Sequence, residues 1–467
     1  MIYFSTTTTF PLIEKRRNLC QIKLKRLLNL AWKLPFQNCA KIIKFIKKFL
    51  FSKEFINKHK TSPEAFTRQR KLPFHLLVCF LLNLIKGSYQ SELDRFFQTI
   101  TRASIPNRFV SKAALAKARM KLKFEAFIEL NHHLINCFQV NFKPITWHGM
   151  QLLAIDGSLV KLPKIKDIID HFGMWNVRQG DPCPMARISQ LFDPLNKITV
   201  NAIISPKSIG ERQQAVSLFS ALPFNSIILL DRGYPAFWLF KLIVSERAHF
   251  CARASRRWKN IRQFINSGKK EKIIQLKATY TSIKHCQELG LGIEPLTLRL
   301  IRVELDSGEI EVLITSLTDK QVYPLNEFAD LYFKRWPVEE DYKTVKCRLE
   351  VEAFTGKSVL SVYQDFHAKI FFKNIVSVMA FPVQAELTAF GAKDQYEHQV
   401  NFTYALGKAK NTVVLLFQRT NAVINRLIRE FQLLIFKTTE PVRPGRKFPR
   451  NHKATKKTFY MNYKPIC

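Results

Sequence analysis

The chain of 467 residues carries 74 Lys and Arg against 36 Asp and Glu, a formal net charge of +38. This excess of positive charge predicts a polyanionic partner, either nucleic acid or an anionic membrane surface. The nine cysteines include no CxxC pair. Their scatter argues against a zinc ribbon or a disulfide framework and is typical of a reducing compartment.

Two features argue against a secreted or membrane-spanning chain. The N-terminus lacks the apolar core of a signal peptide, because residues 6 to 9 are threonines and Pro11 follows shortly after. The most apolar stretch, residues 72–85, is about 14 residues long. A membrane span needs roughly 20 apolar residues, so this stretch predicts a buried helix.

Residues 1–60 form a basic, helical N-terminal extension, with fourteen Lys and Arg against two Glu. Between Lys41 and Leu50 apolar residues recur at helical spacing with lysines between them, which predicts a basic amphipathic helix. Such a helix can lie on DNA, lie on an anionic membrane surface, or pack on the next domain. The sequence leaves these three possibilities open.

Residues 61–145 are predicted to be helical throughout. After the buried helix, Gly87 introduces a break, residues 90–97 form a second helix, and residues 110–119 form a third with Ser111 as its N-cap. Short helices, a glycine-containing turn and basic side chains are typical of a helix-turn-helix-like DNA-binding domain. A plain helical bundle is the alternative.

Residues 146–247 change to a β-rich pattern with one helix before the last strand. The predicted elements are strands 151–156, 187–192 and 197–205, a helix at 211–222 and a strand at 226–231. Asp156 and Asp231 each end a short apolar run of the buried-strand type. Ligands in α/β sheets bind at such strand ends, so both carboxylates are candidate site residues.

A third carboxylate, Glu339, follows downstream among cations. At about 100° per residue, Glu339, Lys343 and Lys346 share one helical face. Pro337 suits a first helical turn, so we expect the helix to begin near Trp336. A carboxylate beside these cations predicts a metal ligand next to groups that bind phosphate. A solvated, salt-bridged helix face is the alternative.

Tyr332 and Arg335, predicted on the preceding turn, complete a specific pattern. With Glu339 and Lys346 they match Tyr-x2-Arg-x3-Glu-x6-Lys, the signature of the IS-four group of bacterial insertion-sequence transposases of the DDE class. The segments 154–158 and 230–234 are similar to the two other acidic motifs of that group. The chain resembles the group from about residue 65 to about residue 385. The neighbouring Glu340 does not fit the spacing, nor does Asp341.

The resemblance implies an α/β fold with a ribonuclease-H-like catalytic core, preceded by the all-helical DNA-binding region. The core would comprise residues 146–247 and 321–390, separated by a β-rich insertion subdomain at 248–320. Residues 391–467 would form a C-terminal helix and a basic tail. From the pattern of the chain we expect helices at 361–381 and 413–436, and a basic arm after Lys437 that follows a phosphate backbone.

The resemblance also implies metal-dependent cleavage of DNA and transfer of the 3′ ends to target DNA. Asp156, Asp231 and Glu339 would be the catalytic carboxylates and would bind two Mg²⁺ ions, with Mn²⁺ possible. The partners would be double-stranded DNA at the terminal inverted repeats and at the target, with a homodimer on paired ends in the bacterial cytoplasm and no membrane. The expected DNA-contacting residues are Tyr332, Arg335, Lys343, Lys346, Arg232, Arg256, Arg257 and Trp258.

Three alternatives remain open at this stage. A nuclease of the same fold would cut without strand transfer, and a decayed transposase would bind DNA without cutting it. A membrane-surface protein would use residues 41–60. Trp258 also has two interpretations, because an aromatic ring beside arginines can stack on a base but can equally pack in a core.

Overall fold

The computed structural model describes residues 36–83, 87–176, 181–305, 307–390 and 396–443. The predicted basic arm after Lys437 and the first part of the N-terminal extension lie largely outside the described residues. The N-terminal helices are α1 (Phe36–Leu50), α2 (Lys53–His59), α3 (Phe74–Leu82), α4 (Tyr89–Thr101), α5 (Lys112–Arg119) and α6 (Glu125–Asn141). Helix α3 is buried along most of its length, as predicted.

The amphipathic helix α1 packs inside the protein. Its apolar residues Ile42, Ile43 and Ile46 are fully buried, and the helix contacts α6 and helices near the C-terminus. Of the three possibilities for this segment, the structure therefore favours packing on the protein. Its apolar face is already covered and is not available to a membrane surface.

Helices α4 and α5 are not joined as in a helix-turn-helix motif. Ser111 is the N-cap of α5 as predicted, because its hydroxyl accepts a hydrogen bond from Ala114 N at 3.2 Å. However, residues 102–111 separate the two helices, which is longer than the three- or four-residue turn of that motif. This connection favours the helical-bundle alternative.

The strand order of the central sheet is that of a ribonuclease-H-like core. The strands are β1 (Gln151–Lys161), β2 (Met174–Trp175), β3 (Cys183–Asp193), β4 (Ile198–Ser205), β5 (Ser226–Leu230), β6 (His249–Arg253), β7 (Glu271–Leu276), β8 (Leu296–Glu304) and β9 (Ile310–Thr315). The first five strands of the core run in the order β4-β3-β1-β5-β6. The pairs β4–β3 and β3–β1 are antiparallel, whereas β1–β5 and β5–β6 are parallel. The predicted fold class is confirmed.

The β-rich segment extends this sheet. Strand β6 pairs with β9 in antiparallel fashion, and β8 and β7 continue from β9 to the edge. The strands predicted as an insertion subdomain at 248–320 are therefore hydrogen-bonded to the core, and β6 is itself the fifth core strand. Helices between the strands are α7 (Lys166–Phe172), α8 (Glu211–Leu218), α9 (Phe237–Ser245), α10 (Lys259–Asn266) and α11 (Tyr280–Glu288).

The C-terminal part of the described chain is helical. Its helices are α12 (Glu327–Phe333), α13 (Pro337–Lys343), a π-helical turn (Thr344–Arg348), α14 (Val359–Phe390), α15 (Phe402–Gln418) and α16 (Asn421–Lys437). The single helix expected at 413–436 is wrong, because the chain breaks at Arg419 and Thr420, which have extended backbone angles. Helix α14 is long and apolar enough to cross a membrane, but 78% of its most apolar window is buried inside the protein.

Two hydrophobic cores lie on opposite faces of the sheet. The first joins the N-terminal helices to α14, α15 and α16 and to one face of the sheet, with members from Cys39 to Ile435. The second fills the space between the other face and α8, α9 and α10. The helices of residues 61–145 thus share their core with the C-terminal helices; together these elements are called the helical body.

Candidate active site

The first two candidate carboxylates lie side by side on parallel strands. Ile155 of β1 is opposite Leu230 of β5, so Asp156 and Asp231, which follow them, stand at the same level. Ala154 packs in the first core and Ile155 in the second. Because successive residues of a strand face opposite sides, Asp156 faces the helical body. Strand β1 is longer than predicted and continues past Asp156.

Each of these carboxylates is held by a backbone donor in its own loop or strand. Asp156 Oδ1 accepts a hydrogen bond from Gly157 N at 2.8 Å, and Asp231 Oδ1 accepts one from Gly233 N at 2.7 Å. A Cβ atom at position 233 would lie only 3.1 Å from Asp231 Oδ1. The glycine therefore allows the carboxylate to approach the backbone this closely.

The signature segment docks onto both acidic strands through tyrosine hydroxyls. Tyr332 donates a hydrogen bond to Leu230 O at 3.3 Å, and Tyr342 donates one to Asp156 O at 2.6 Å. Helix α13 begins as predicted, with Trp336 as N-cap and proline in its first turn. Tyr332, in contrast, lies in α12 and not in a turn. These two hydrogen bonds fix the segment that carries the third carboxylate against β1 and β5.

Glu339 is bound by the arginine of the signature. Arg335 Nη2 donates a hydrogen bond to Glu339 Oε1 at 2.8 Å. The guanidinium lies 5.8 Å from the ring centroid of Tyr332 and 5.3 Å from that of Trp336. Arg335 is only 7% exposed, so in this structure its buried guanidinium pairs with the half-buried carboxylate of Glu339. Its predicted contact with a phosphate stays a prediction.

The pKa of Asp156 shows that it interacts electrostatically with the other two carboxylates. Burial, together with the negative charges of Asp231 and Glu339, raises the pKa of Asp156 to about 6. The Gly157 N–H and the Arg335 guanidinium act in the opposite direction. A carboxylate whose ionisation is opposed by two others is typical of a site that binds a cation.

The donor set fits a hard divalent cation, although its members are not arranged around one. Among the described residues, no three His, Cys, Asp or Glu side chains form a ready metal-ligating group. Each of the three carboxylates instead accepts a hydrogen bond from a donor of the chain. All-oxygen carboxylate ligands suit Mg²⁺ or Mn²⁺, and a cation would offset the repulsion among them.

The two lysines that follow Glu339, Lys343 and Lys346, point in different directions. Lys346 lies in the π-helical turn and donates a hydrogen bond to Ser158 Oγ, two residues after Asp156, at 2.6 Å. Lys343 pairs with Glu340, and both side chains are more than two-thirds exposed. The structure therefore brings Lys346 to β1 and leaves Lys343 on the outer side of α13. A π-helical turn is frequent at functional sites.

Four arginines line a cleft next to Asp231. Arg232, Arg253, Arg256 and Arg257 surround a volume of about 440 Å³ together with Glu309 and Glu311; this is called the arginine cleft. Arg253 Nη2 pairs with Glu311 Oε1 at 2.8 Å. Three of the arginines were expected to contact DNA. Sequence reasoning did not name Arg253 as a site residue, although it lies only three residues before Arg256.

Trp258 does not line the arginine cleft. It is half-buried, packs against the second core, and lines a separate cleft with Trp238 and His285. This position favours its interpretation as a core residue over a base-stacking one.

Comparisons with known proteins match the sequence of this chain to a family model. The family model described as Transposase DDE domain matches residues 147–374, which include all three carboxylates. Over 395 residues the chain is 25% identical to transposase InsG for insertion sequence element IS4 of Escherichia coli strain K12, covering 82% of this chain and 86% of InsG. The chain is thus similar to the IS4-type DDE transposases, with the transposase DDE domain at residues 147–374.

Two further likenesses were found for this chain. It is 30% identical to the putative transposase InsZ of the same organism over 119 residues, which cover 25% of this chain and 39% of InsZ. Among solved structures it is similar to the piggyBac transposase synaptic complex with hairpin DNA, with a TM-score of 0.46 and 10% identity. That match covers 88% of each chain.

Proposed function

We propose that this protein is a transposase that cuts DNA at the ends of an insertion sequence by metal-dependent phosphodiester hydrolysis and joins the 3′ ends to target DNA. Asp156, Asp231 and Glu339 are the proposed catalytic residues. The observation that carries the proposal is the placement of two carboxylates at one level of adjacent parallel strands, with the third on a helix docked against them. The raised pKa of Asp156 supports it.

The same three residues would hold two Mg²⁺ ions, or Mn²⁺ ions in their place. Paired divalent ions of this kind supply an activated water and stabilise the charge that develops on the phosphate. The chain contributes the orientation of its carboxylates through Tyr332 and Tyr342. Lys346 stands beside Asp156 on β1, where its ammonium can hold a phosphate oxygen.

We propose that double-stranded DNA follows the arginine cleft as it leaves the carboxylates. Arg232 comes directly after Asp231, so the cleft begins beside the second carboxylate. Arginines bind phosphate oxygens in a bidentate manner. Lys343, Arg256 and Arg257 are exposed and are the proposed contacts to the backbone, which position DNA without reading its sequence.

Recognition of the terminal inverted repeats is proposed for the helical body. Around α4 and α5 the structure exposes a basic surface, here called the α5 surface, made of Arg102, Arg108, Lys112, Lys117 and Lys121. The catalytic face meets phosphates at any sequence, whereas base reading needs an element that fits a groove. We also propose that two protomers bind paired ends and act on DNA in the bacterial cytoplasm.

Cleavage of a plasmid that carries the gene with its own flanking DNA tests the catalytic assignment. Asp156→Asn, Asp231→Asn and Glu339→Gln each remove a negative ligand with little change of shape. We expect all three to abolish Mg²⁺-dependent cutting while DNA binding in a gel-shift assay persists. Cutting at the wild-type rate by any variant, or robust cutting in EDTA, would contradict the assignment.

A joining assay separates transposition from simple nuclease activity. Pre-cut ends with free 3′-hydroxyl groups are incubated with the protein, Mg²⁺ and a supercoiled target plasmid. Strand transfer predicts covalent joining of these ends to the plasmid. Cutting without any joining under the same conditions would support the nuclease of the same fold.

A further inference from the structure

A buried ion pair connects the helix that carries Glu339 to the long helix α14. Asp341 of α13 is 8% exposed and Lys373 of α14 is fully buried. Lys373 Nζ lies 2.6 Å from both carboxylate oxygens of Asp341. The adjacent carboxylate Glu340 is in contrast exposed and pairs with Lys343. Two neighbouring acids of the signature helix thus have opposite environments.

The pair belongs to a hydrogen-bonded network that reaches the strand beside Asp156. Gln190 Nε2 donates to Asp341 Oδ2 at 2.9 Å, and Lys373 Nζ donates to Thr199 Oγ1 at 2.6 Å. Thr199 Oγ1 donates in turn to Gln190 Oε1 at 3.3 Å. In the register of β1 and β3, Gln190 is the direct partner of Asp156. The network therefore joins α13, α14, β3 and β4 at the level of the first carboxylate.

The network continues into the helical body. Asn374 Oδ1 accepts a hydrogen bond from Thr199 N at 2.9 Å, and Asn374 Nδ2 donates to Asn131 Oδ1 of α6 at 2.7 Å. The ammonium of Lys373 also lies 4.9 Å from the ring centroid of Phe192. Every polar group of Lys373 and Asp341 is thus directed at a fixed partner.

We propose that Asp341 and Lys373 are positioning residues that set the distance between Glu339 and Asp156, an inference that rests on the proposed function. Glu339 and Asp341 are on the same short helix, so the point at which Asp341 is anchored fixes how far α13 lies from β1. The hydrogen bond from Tyr342 to Asp156 O holds α13 against β1, and the ion pair fixes the rotation of α13 and its position along the axis.

Stability alone gives a weak reason for such a pair. Taking two charges out of water is costly, and well-packed uncharged side chains of similar volume are often as stabilising or more so. A hydrogen-bonded ion pair constrains the orientation of its two side chains, which an apolar contact does not. A double variant that removes both charges therefore separates the contribution of the pair to stability from its contribution to geometry.

The experiment compares the full-length chain with Asp341→Asn, Lys373→Met and the double variant. Glu340→Gln, an exposed carboxylate one residue earlier on the same helix, is the matched control. Four quantities are measured. They are Tm, the Mn²⁺ affinity from the electron paramagnetic resonance signal of free Mn²⁺, and kcat and KM for cutting of the plasmid that carries the gene's flanking DNA.

Each single variant leaves a buried charge without its partner, so we expect Tm to fall by roughly 5 °C or more. The double variant should recover most of this loss. Its Mn²⁺ affinity and its kcat should nevertheless stay about 10- to 100-fold below wild type, as for other residues that orient metal ligands. KM for DNA should not change in the double variant, and Glu340→Gln should match wild type in Tm, Mn²⁺ affinity and kcat.

A double variant with wild-type Mn²⁺ affinity and wild-type kcat would overturn the inference and leave the pair a purely structural one. Reduced affinity and kcat in Glu340→Gln would overturn it as well, because any change on α13 would then have the same effect. A wild-type chain that binds Mn²⁺ through Asp156 but does not cut DNA would count against the proposed function. In that case the Mn²⁺ affinity of the double variant still decides the positioning role.

Discussion

At the residue scale, the surroundings of the Asp156 carboxyl group shift its pKa. Its pKa of about 6 lies above the ordinary 3.8 because the group is buried and faces two further carboxylates. At neutral pH the group is therefore ionised at a cost to the metal-free protein. Between about pH 4 and about pH 6 the unfolded chain loses this proton while the folded chain keeps it, so stability falls as pH rises.

Asp156→Asn should remove this cost. We expect the variant to raise Tm of the metal-free protein at pH 7.5 by about 2 to 5 °C and to raise it by only about a third as much at pH 4.5. Thermal unfolding in EDTA at the two pH values measures the effect. Adding Mg²⁺ at pH 7.5 should stabilise wild type more than the variant. The same Tm difference at both pH values would contradict the assigned cause.

Arg335 and Lys346 belong to one sequence signature but are expected to differ in their effect on folding. Arg335 is buried, paired with Glu339 and packed against two aromatic rings. Arg335→Ala should lower the free energy of unfolding by about 1 to 3 kcal/mol. Lys346→Ala should change it by less than about 1 kcal/mol and act chiefly on cleavage. Urea denaturation measures both, and equal stability losses would refute the distinction.

A phosphate contact at the protein surface contributes little to folding, whereas buried Arg335 is expected to contribute to it. The sequence shows its spacing to Glu339 but not that both rings and the carboxylate enclose it. Residue type and spacing indicate which side chains take part in a site. They do not indicate how far each is removed from water, because burial depends on elements that come from elsewhere in the chain.

At the scale of elements, the sequence predicted those helix ends that depend only on neighbouring residues. The start of α13 follows from a proline that suits the first turn, and the N-cap of α5 follows from Ser111. The π-helical turn after α13 was not predicted. It brings Lys346 to Ser158 of a distant strand, and the local sequence does not specify that contact. Asp341 and Lys373 were not paired for the same reason, since nothing near either residue specifies the other.

The arginine cleft supports a prediction at this scale. Arg256→Ala combined with Arg257→Ala removes two expected phosphate contacts. The dependence of log affinity on log salt concentration should lose a slope of about 2. Binding should weaken to a similar degree for specific and scrambled duplexes, because phosphate contacts carry no sequence information.

Fluorescence anisotropy at several salt concentrations gives the slope for each variant. Arg426→Ala, an exposed arginine of α16 in the helical body, serves as the control for the loss of surface charge. An unchanged slope in the cleft variant would remove the cleft from the DNA path. A loss of discrimination between the two duplexes would instead indicate that the cleft reads bases.

At the scale of the whole molecule, the N-terminal helices do not form an independent unit. Their apolar faces and those of α14 to α16 fill one core. Buried Arg119 of α5 adds a polar link, because it pairs with Asp365 of α14 at 2.8 Å and bonds to the neighbouring Gln364. Local periodicity predicted these helices but could not predict the partners, which lie more than two hundred residues away.

A fragment of residues 1–145 should therefore fail to fold by itself, although a DNA-binding domain in this region would be expected to. Far-ultraviolet circular dichroism and thermal unfolding provide the measurement. We expect no cooperative transition for the fragment and one involving the N- and C-terminal helices together in the full chain. A cooperative transition in the isolated fragment would show that α14 to α16 are dispensable for its core.

Recognition consequently has to be tested in the full chain. Arg108→Glu with Lys112→Glu reverses charge on the α5 surface without touching the core. We expect binding to the terminal repeat to fall to the level of scrambled DNA, with binding to scrambled DNA only slightly weakened. A competition gel shift measures both. Discrimination that persists would move sequence reading to another surface.

The shared core also determines when the protein acquires its structure during synthesis. The N-terminal helices leave the ribosome first, but the apolar faces that α14 to α16 cover stay exposed until Lys437 has been added. A nascent or prematurely terminated chain thus presents hydrophobic surface, which favours chaperone binding and proteolysis. Truncated products should be degraded rather than occupy the DNA ends, so that only completed chains would compete for them.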